Sequence, residues 1–202
     1  MKVNAALIKN KNIKNAATDK SIVTAFLSVA SGLVSGGVLF ALNKEVCVNE
    51  IHDLFSVFMK RFENDNTIFI LITMLLSGLI YYAVIIISGT SIAGKNIILF
   101  YTILNFSSLS MIASYLYSEY NLKGLEYCLL VFYPGKMIYL FSSVLAVKNA
   151  IEYCNALKCR PVEAINSKKR YICTNGIIFL LFASGITIDF IMIKTFSSLF
   201  TF

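Results

Sequence analysis

The sequence predicts an all-α, multi-pass membrane protein with about five transmembrane helices and one extracytoplasmic amphipathic helix. Of the 202 residues, 57% are hydrophobic and only 14% are charged, whereas soluble domains contain about 25% charged residues. The apolar residues form long runs, and most Lys and Arg residues lie between those runs. An ordinary soluble globule and a disordered tail are therefore excluded.

Five apolar stretches are long enough to cross a membrane. A helix rises about 1.5 Å per residue and the hydrocarbon core is about 30 Å thick, so a crossing needs roughly 20 apolar residues. We predict a basic cytoplasmic segment, 1–20, followed by a single membrane domain, 21–202. The spans are 21–42, 67–88, 97–117, 125–147 and 172–193.

The first span has a competing interpretation as a cleaved signal peptide. Basic residues precede it, and Ser28-Val29-Ala30 fits a cleavage site. The apolar run continues to Leu42, however, well past that site. This continuation favours an uncleaved anchor.

Basic residues predict the orientation, because Lys and Arg are retained on the cytoplasmic side of short loops. Twelve of the 18 Lys and Arg residues lie in 1–20, 89–96 and 148–171, and five lie in the opposite segments. We therefore predict a cell-membrane protein with its N-terminus inside and its C-terminus outside. The cluster 168–170 fits an orientation signal and contact with anionic membrane lipid, with a partner-binding patch as the alternative.

The fourth span contains Pro134, Gly135 and Lys136 near its middle. Proline removes a helical hydrogen bond, so Pro134 and Gly135 predict a helix break, as a kinked span or as two half-helices. A second crossing here would place the basic segment 148–171 outside, against the charge distribution. We expect a kink or a re-entrant pair.

The segment 43–66 is predicted to form the extracytoplasmic amphipathic helix, because its apolar residues recur at helical spacing. Within it, Phe55, Phe58 and Phe62 are the candidate partner surface. A helix that only links the first two spans at the membrane surface is the alternative.

Charged residues within a span are candidates for function, because each costs about 2.5–3.5 kcal/mol at the centre of the membrane. Lys136 in the fourth span and Asp189 in the fifth are the two candidates, and we predict that they form an intramembrane pair. The alternative is a lysine that reaches toward the interface beside a kink, and an interfacial aspartate.

Gly32 and Gly36 form a GxxxG pair in the first span. Small residues on one helix face allow close contact with another helix in lipid. We predict that this face packs within the chain, in preference to dimerisation.

No catalytic, cofactor-binding or metal-binding motif is recognised in the sequence. The single histidine, His52, lies in the segment 43–66, and the five cysteines lack the spacing of a zinc site. The net charge of +7 is spread between apolar runs, so nucleic acid is not an expected partner. We expect a protein that is not an enzyme and has no cofactor.

The layout resembles the stage II sporulation protein M family of integral membrane proteins, from about Ser21 to Phe202. The resemblance is carried by the Gly/Ser-rich SGLVSGGVLFAL, the outside amphipathic segment, the turn SGTSIAGKN, the link EYNLKGLEY and the Pro-containing VFYPGKMIYLFSSVLAVKNA. Many members of the wider family have His-Gly after the proline and then a Glu. Here Gly135 and Lys136 follow Pro134, and Tyr139 stands about where that Glu would be.

The resemblance implies a non-enzymatic scaffold or anchor. Its partners would resemble stage II sporulation proteins D and P, which remodel peptidoglycan while the forespore is engulfed. The alternative from a different functional class is a transporter or permease subunit with a path near the fourth span around Lys136.

Overall fold

The computed structural model describes the backbone of residues 2–64 and 67–196 and the side chains of 20–57, 68–162 and 164–196. This part of the chain is helical almost throughout and contains no strand, which confirms the all-α class. Its elements are α1 (Lys2–Leu42), α2 (Lys44–Asn64), α3 (Thr67–Gly89), α4 (Gly94–Tyr127), a π-helical turn (Cys128–Phe132), α5 (Tyr133–Cys159) and α6 (Pro161–Phe196).

Among the described residues, four helical stretches are long and apolar enough to cross a membrane. They are Lys20–Leu42, Ile68–Gly89, Gly94–Cys159 and Ala164–Phe196. These lengths and compositions are those of a helical membrane protein. The third stretch has 66 residues and would extend roughly 100 Å if it were straight, about three times the thickness of the hydrocarbon core.

That long stretch reverses direction at Asn121. The backbone of Asn121 has φ 51° and ψ −125°, outside the helical region, and Asn tolerates positive φ better than most residues with a side chain. Beyond the turn the chain runs back along α4, so that the Nδ2 of Asn105 donates a hydrogen bond to the Tyr139 hydroxyl over 2.7 Å. The stretch therefore forms a helical hairpin.

The chain remains helical through Pro134 and Gly135, so it does not divide there into two half-helices. Instead, the five residues Cys128–Phe132 form a π-helical turn, and the Tyr133 N–H bonds to the Cys128 carbonyl. A π-helical turn changes the hydrogen-bond register just before proline, which has no N–H to donate. The irregularity is thus a local widening of the helix and not a re-entrant pair.

A second hairpin joins α5 to α6 at Arg160, whose φ of −146° and ψ of 70° end the helix. Pro161 then begins α6, a position where its missing N–H costs nothing. The rings of Tyr153 and Tyr171 stack across this hairpin with centroids 4.2 Å apart. We call this end of the bundle the Arg160 end, and the opposite end, at the α4 turn, the Asn121 end.

The first helix packs closely along α4 through its small residues. A Cβ at Gly32 would collide with the Ile103 carbonyl oxygen and the Phe106 side chain, and a Cβ at Gly36 would collide with the Ser107 backbone. Gly32 and Gly36 therefore lie at a contact within the chain, where only glycine allows the two backbones to approach.

The amphipathic helix α2 crosses the Asn121 end of the bundle. Phe40 at the end of α1 and Phe55 in the middle of α2 both pack against a cluster that contains Tyr115. If α2 continued the direction of α1, Phe55 would lie roughly 20 Å beyond Phe40 along the axis. The chain therefore bends between α1 and α2, near Asn43.

Candidate functional site: a cavity beside a buried ion pair

Lys136 of α5 and Asp189 of α6, the two charged residues singled out within the predicted spans, lie together. The Lys136 Nζ is 2.7 Å from the Asp189 Oδ2, and the two side chains are 22% and 2% exposed. A buried pair of this kind avoids the much larger cost of an isolated charge in an apolar interior. The structure thus joins α5 and α6 through a neutral, charge-paired contact.

Two glycines bring α5 and α6 close enough for this pair to form. A Cβ at Gly135 would collide with the Asp189 side chain and the Gly185 carbonyl oxygen, and a Cβ at Gly185 would lie 3.0 Å from the Gly135 carbonyl oxygen. The small residues flanking the pair therefore set the distance between the helix backbones. Gly135, predicted as part of a helix break, functions here as a contact point.

A cavity of about 510 Å³ lies beside the ion pair. Its wall is mainly apolar and is formed by α2, α3, α4, the π-helical turn, α5 and α6. The lining side chains that carry polar atoms are Ser77, Tyr81, Asn105, Ser108, Tyr127, Lys136, Tyr139 and Asp189. This size and mixture of an apolar wall with a few polar groups are typical of a small-molecule binding site.

The polar side chains that line the cavity differ in their contacts and in their accessibility. Asn105 and Tyr139 bond to each other, and the Lys136 ammonium also lies 5.6 Å and 5.3 Å from the ring centroids of Phe132 and Tyr139. The backbone N–H groups of Gly135 and Lys136 lie near the Asp189 carboxylate. Both Asp189 oxygens are buried, and the carboxylate lies against Gly135. Lys136, which is 22% exposed and lines the cavity, is therefore the more accessible member of the ion pair.

An aromatic cluster lies on one side of the cavity. The Tyr139 ring contacts Phe182 at a centroid distance of 4.6 Å and Tyr81 at 5.8 Å. Because these three rings belong to α5, α6 and α3, they fix the relative positions of the helices that line the cavity.

Of the three residues of the predicted partner surface on α2, Phe55 is the one whose side chain the structure describes. Phe55 faces the bundle, with its ring 6.1 Å from that of Tyr115 and 6.3 Å from that of Tyr127. The side chains of Phe58 and Phe62 lie outside the described residues. The Phe55 side chain is partly buried, packs against the cluster that contains Tyr115, and lines the cavity.

The opposite face of α2 points away from the bundle. Its members lie at helical spacing and are all exposed: Val46, Asn49, Glu50, Asp53 and Val57. We call these five residues the outward face. It combines two carboxylates with two valines, of which Val46 is 62% exposed.

The single histidine is exposed but contacts the bundle. His52 Nδ1 lies 2.8 Å from the Tyr115 hydroxyl, which holds α2 against α4. Among the residues that the structure describes, no group of three His, Cys, Asp or Glu side chains is arranged to hold a metal ion. The five cysteines are free thiols.

Sequence reasoning did not assign Asn105 and Tyr139 to the site. Asn105 is the only side-chain amide within the predicted third span, and a polar group in lipid requires a partner. That signal identifies Asn105 as a contact residue. The identity of Tyr139 as its partner depends on the hairpin at Asn121.

Comparisons of the chain with known protein families, with curated proteins and with solved structures find no match.

Proposed function

We propose that the protein is a non-enzymatic scaffold of the cell membrane that binds extracytoplasmic protein partners through the outward face of α2. The observation that carries this proposal is the composition of that face, which joins exposed valines to exposed carboxylates at one helical spacing. Protein interfaces commonly pair such an apolar stripe with complementary charges.

The proposed topology has five crossings, with the N-terminus inside. The hairpin at Asn121 supports it, because it divides the Gly94–Cys159 stretch into two antiparallel arms. The distribution of Lys and Arg supports the orientation. In this topology the Asn121 end, with α2 across it, faces the extracytoplasmic side.

The charge of the outward face favours a protein partner over the membrane surface. Glu50 and Asp53 are both exposed on it, and Glu45 is exposed at its edge. Carboxylates are repelled by anionic lipid headgroups, which attract basic helices. A partner that presents Lys or Arg beside apolar residues is complementary to this face.

The resemblance to the stage II sporulation protein M family supplies the partner class. By that resemblance, the partners are peptidoglycan-remodelling proteins similar to stage II sporulation proteins D and P. The hydrolytic chemistry would belong to those partners, and this chain would hold them at the membrane during engulfment.

Co-isolation tests this proposal. We expect the charge reversal E50K/D53K to reduce recovery of tagged partners similar to proteins D and P by about tenfold, through loss of charge complementarity. Glu119 is exposed on α4 near the same end of the bundle but outside the outward face, so E119K is the matched control. Equal recovery from wild type, E50K/D53K and E119K would contradict docking through α2.

A second candidate function is a transporter or permease subunit, and the cavity beside Lys136 and Asp189 favours it. A charged pair at a cavity within membrane helices is a common feature of substrate pathways. Transport would require the cavity to open alternately to both sides. Single cysteines at positions 133–139 that react with a polar thiol reagent from each side would support this function.

A further inference from the structure

We propose that the Arg160 end of the bundle binds the head groups of anionic phospholipids through basic side chains that three helices bring to one level. This inference rests on the positions of those side chains in the bundle, and it does not depend on docking by α2. The side chains, which we call the basic belt, are Lys20, Lys95, Lys168, Lys169 and Arg170.

The first two members of the belt come from α1 and α4, which run in the same direction. Gly32 lies against Ile103, and Gly36, one turn later, lies against Ser107. The belt lysines of α1 and α4 precede Gly32 and Ile103 by 12 and 8 residues. At about 1.5 Å per residue, the two lysines are therefore within about 6 Å of the same level along the bundle.

The basic cluster 168–170 of α6 lies at the same end of the bundle. The Tyr171 hydroxyl, directly after the cluster, donates a hydrogen bond to the Ile86 carbonyl over 3.1 Å. Ile86 is three residues from the end of α3, and Lys95 is the second residue of α4. The fold thus adds lysines of α1 and α4 to a cluster that lies on α6 alone in the sequence.

The described side chains at this end carry an excess of positive charge. Four of the five belt residues are exposed and Lys95 is half-buried. Of the acidic side chains that the structure describes, Glu152 is the one at this end, and it lies 3.8 Å from Lys148. The exposed carboxylates of the described chain lie at the Asn121 end: Glu45, Glu50, Asp53, Glu119 and Glu126.

Apolar neighbours of the belt favour a phospholipid over an acidic protein. Ile22 and Val23 follow Lys20 and are 40% and 55% exposed, and Ile172, two residues after Arg170, is 55% exposed. These aliphatic side chains belong to stretches that are long and apolar enough to cross a membrane. The belt therefore lies where an apolar surface gives way to a basic one, and anionic lipid head groups attract basic residues placed beside membrane helices.

Spin-labelled lipids test the proposal. The full-length protein is reconstituted in phosphatidylcholine vesicles that contain phosphatidylglycerol or phosphatidylcholine with a spin label near the end of one acyl chain. Electron paramagnetic resonance then measures the fraction of each labelled lipid that is immobilised at the protein. In about 0.1 M salt we expect an approximately threefold preference for phosphatidylglycerol. In about 1 M salt most of this preference should be lost, because the Debye length falls from about 10 Å to about 3 Å.

A matched pair of triple substitutions locates the site. K168Q/K169Q/R170Q removes three positive charges from the belt, and K44Q/K123Q/K194Q removes three at the Asn121 end. All six side chains are exposed, so neither variant should alter the fold. We expect the belt variant to lower the preference to about 1.5-fold or less. The control variant should keep the preference of the wild type, because exposed carboxylates offset the lysines at its end.

Three results would overturn the proposal. Equal immobilisation of the two lipids by the wild type would show that the belt does not bind anionic lipid and would leave an acidic protein as its partner. A preference that persists in 1 M salt would exclude an electrostatic origin, and an equal loss in both triple variants would place the preference outside the belt. No partner protein is present in this experiment, so its outcome is separate from that of co-isolation.

Discussion

The Lys136 Nζ and the Asp189 Oδ2 lie 2.7 Å apart and join α5 to α6 beside the cavity. The two residues are 53 positions apart in the sequence. Their contact depends on the close approach of α5 and α6 at Gly135 and Gly185. Because Asp189 is almost fully buried, each charge depends on the other for compensation.

Removal of either charge should destabilise the bundle. We expect K136M or D189L to lower the free energy of unfolding by about 3–5 kcal/mol, because each leaves the other charge unpaired. The double substitution K136M/D189L should recover most of the loss. Thermal or chemical unfolding in detergent measures both effects.

The pair of Lys148 and Glu152 is the control for this prediction. These residues lie one helical turn apart on α5, 3.8 Å from each other, and both side chains are more exposed than that of Asp189. K148M should cost about 0.5 kcal/mol or less. Similar losses for K148M and K136M would contradict a special role for the buried pair.

Two glycines in α1 should respond differently to the same substitution. A Cβ at Gly36 would collide with the Ser107 backbone, whereas a Cβ at Gly37 would lie 3.7 Å from the Ser110 Oγ, an ordinary contact. We expect G36A to destabilise the protein by about 1–3 kcal/mol through separation of α1 from α4. G37A should be neutral or slightly stabilising, because alanine favours a helix over glycine.

Unfolding of G36A and G37A in the same detergent distinguishes them. Equal stability of the two variants would show that α1 does not pack against α4 through Gly36.

At Asn121, where the chain reverses direction, we expect glycine to be more stable than alanine, which is the opposite of the order inside a helix. The Asn121 φ of 51° and ψ of −125° fit the first central position of a II′ turn, which glycine occupies most readily. We therefore expect N121G to be more stable than N121A by about 1 kcal/mol or more, since a Cβ is strained at this φ. The thermal unfolding midpoint compares the two.

Leu104, which is exposed on α4 before the turn, is the control position. There we expect glycine to be less stable than alanine. At that helical position L104G should be less stable than L104A by about 1 kcal/mol. If glycine proved worse than alanine at both positions, position 121 would be helical and the hairpin would be wrong.

Several features were predictable from sequence because the membrane makes their alternatives costly. The charges of Lys136 and Asp189 stand out in apolar runs, and a charge in lipid calls for a partner. Gly32 and Gly36 stand out in the same way, because their spacing places both on one helix face. For these four residues, the residue type and its position in an apolar run were sufficient to predict a contact.

Other features depend on contacts between distant segments. The effect of Pro134 could not be predicted, because proline is compatible with a break, a kink or a π-helical turn. The inward position of Phe55 depends on Tyr115 and Tyr127 at the end of the bundle. The cavity likewise requires six elements to be placed together.

Site-specific photocrosslinking determines whether a partner docks on the outward face of α2. A benzoylphenylalanine placed at Val46, which is 62% exposed on that face, should crosslink to a partner similar to stage II sporulation protein D or P. The same residue at Phe55, which faces Tyr115, should give no such product. Crosslinking from Phe55 as strong as that from Val46, or from Val46 to lipid alone, would contradict docking on that face.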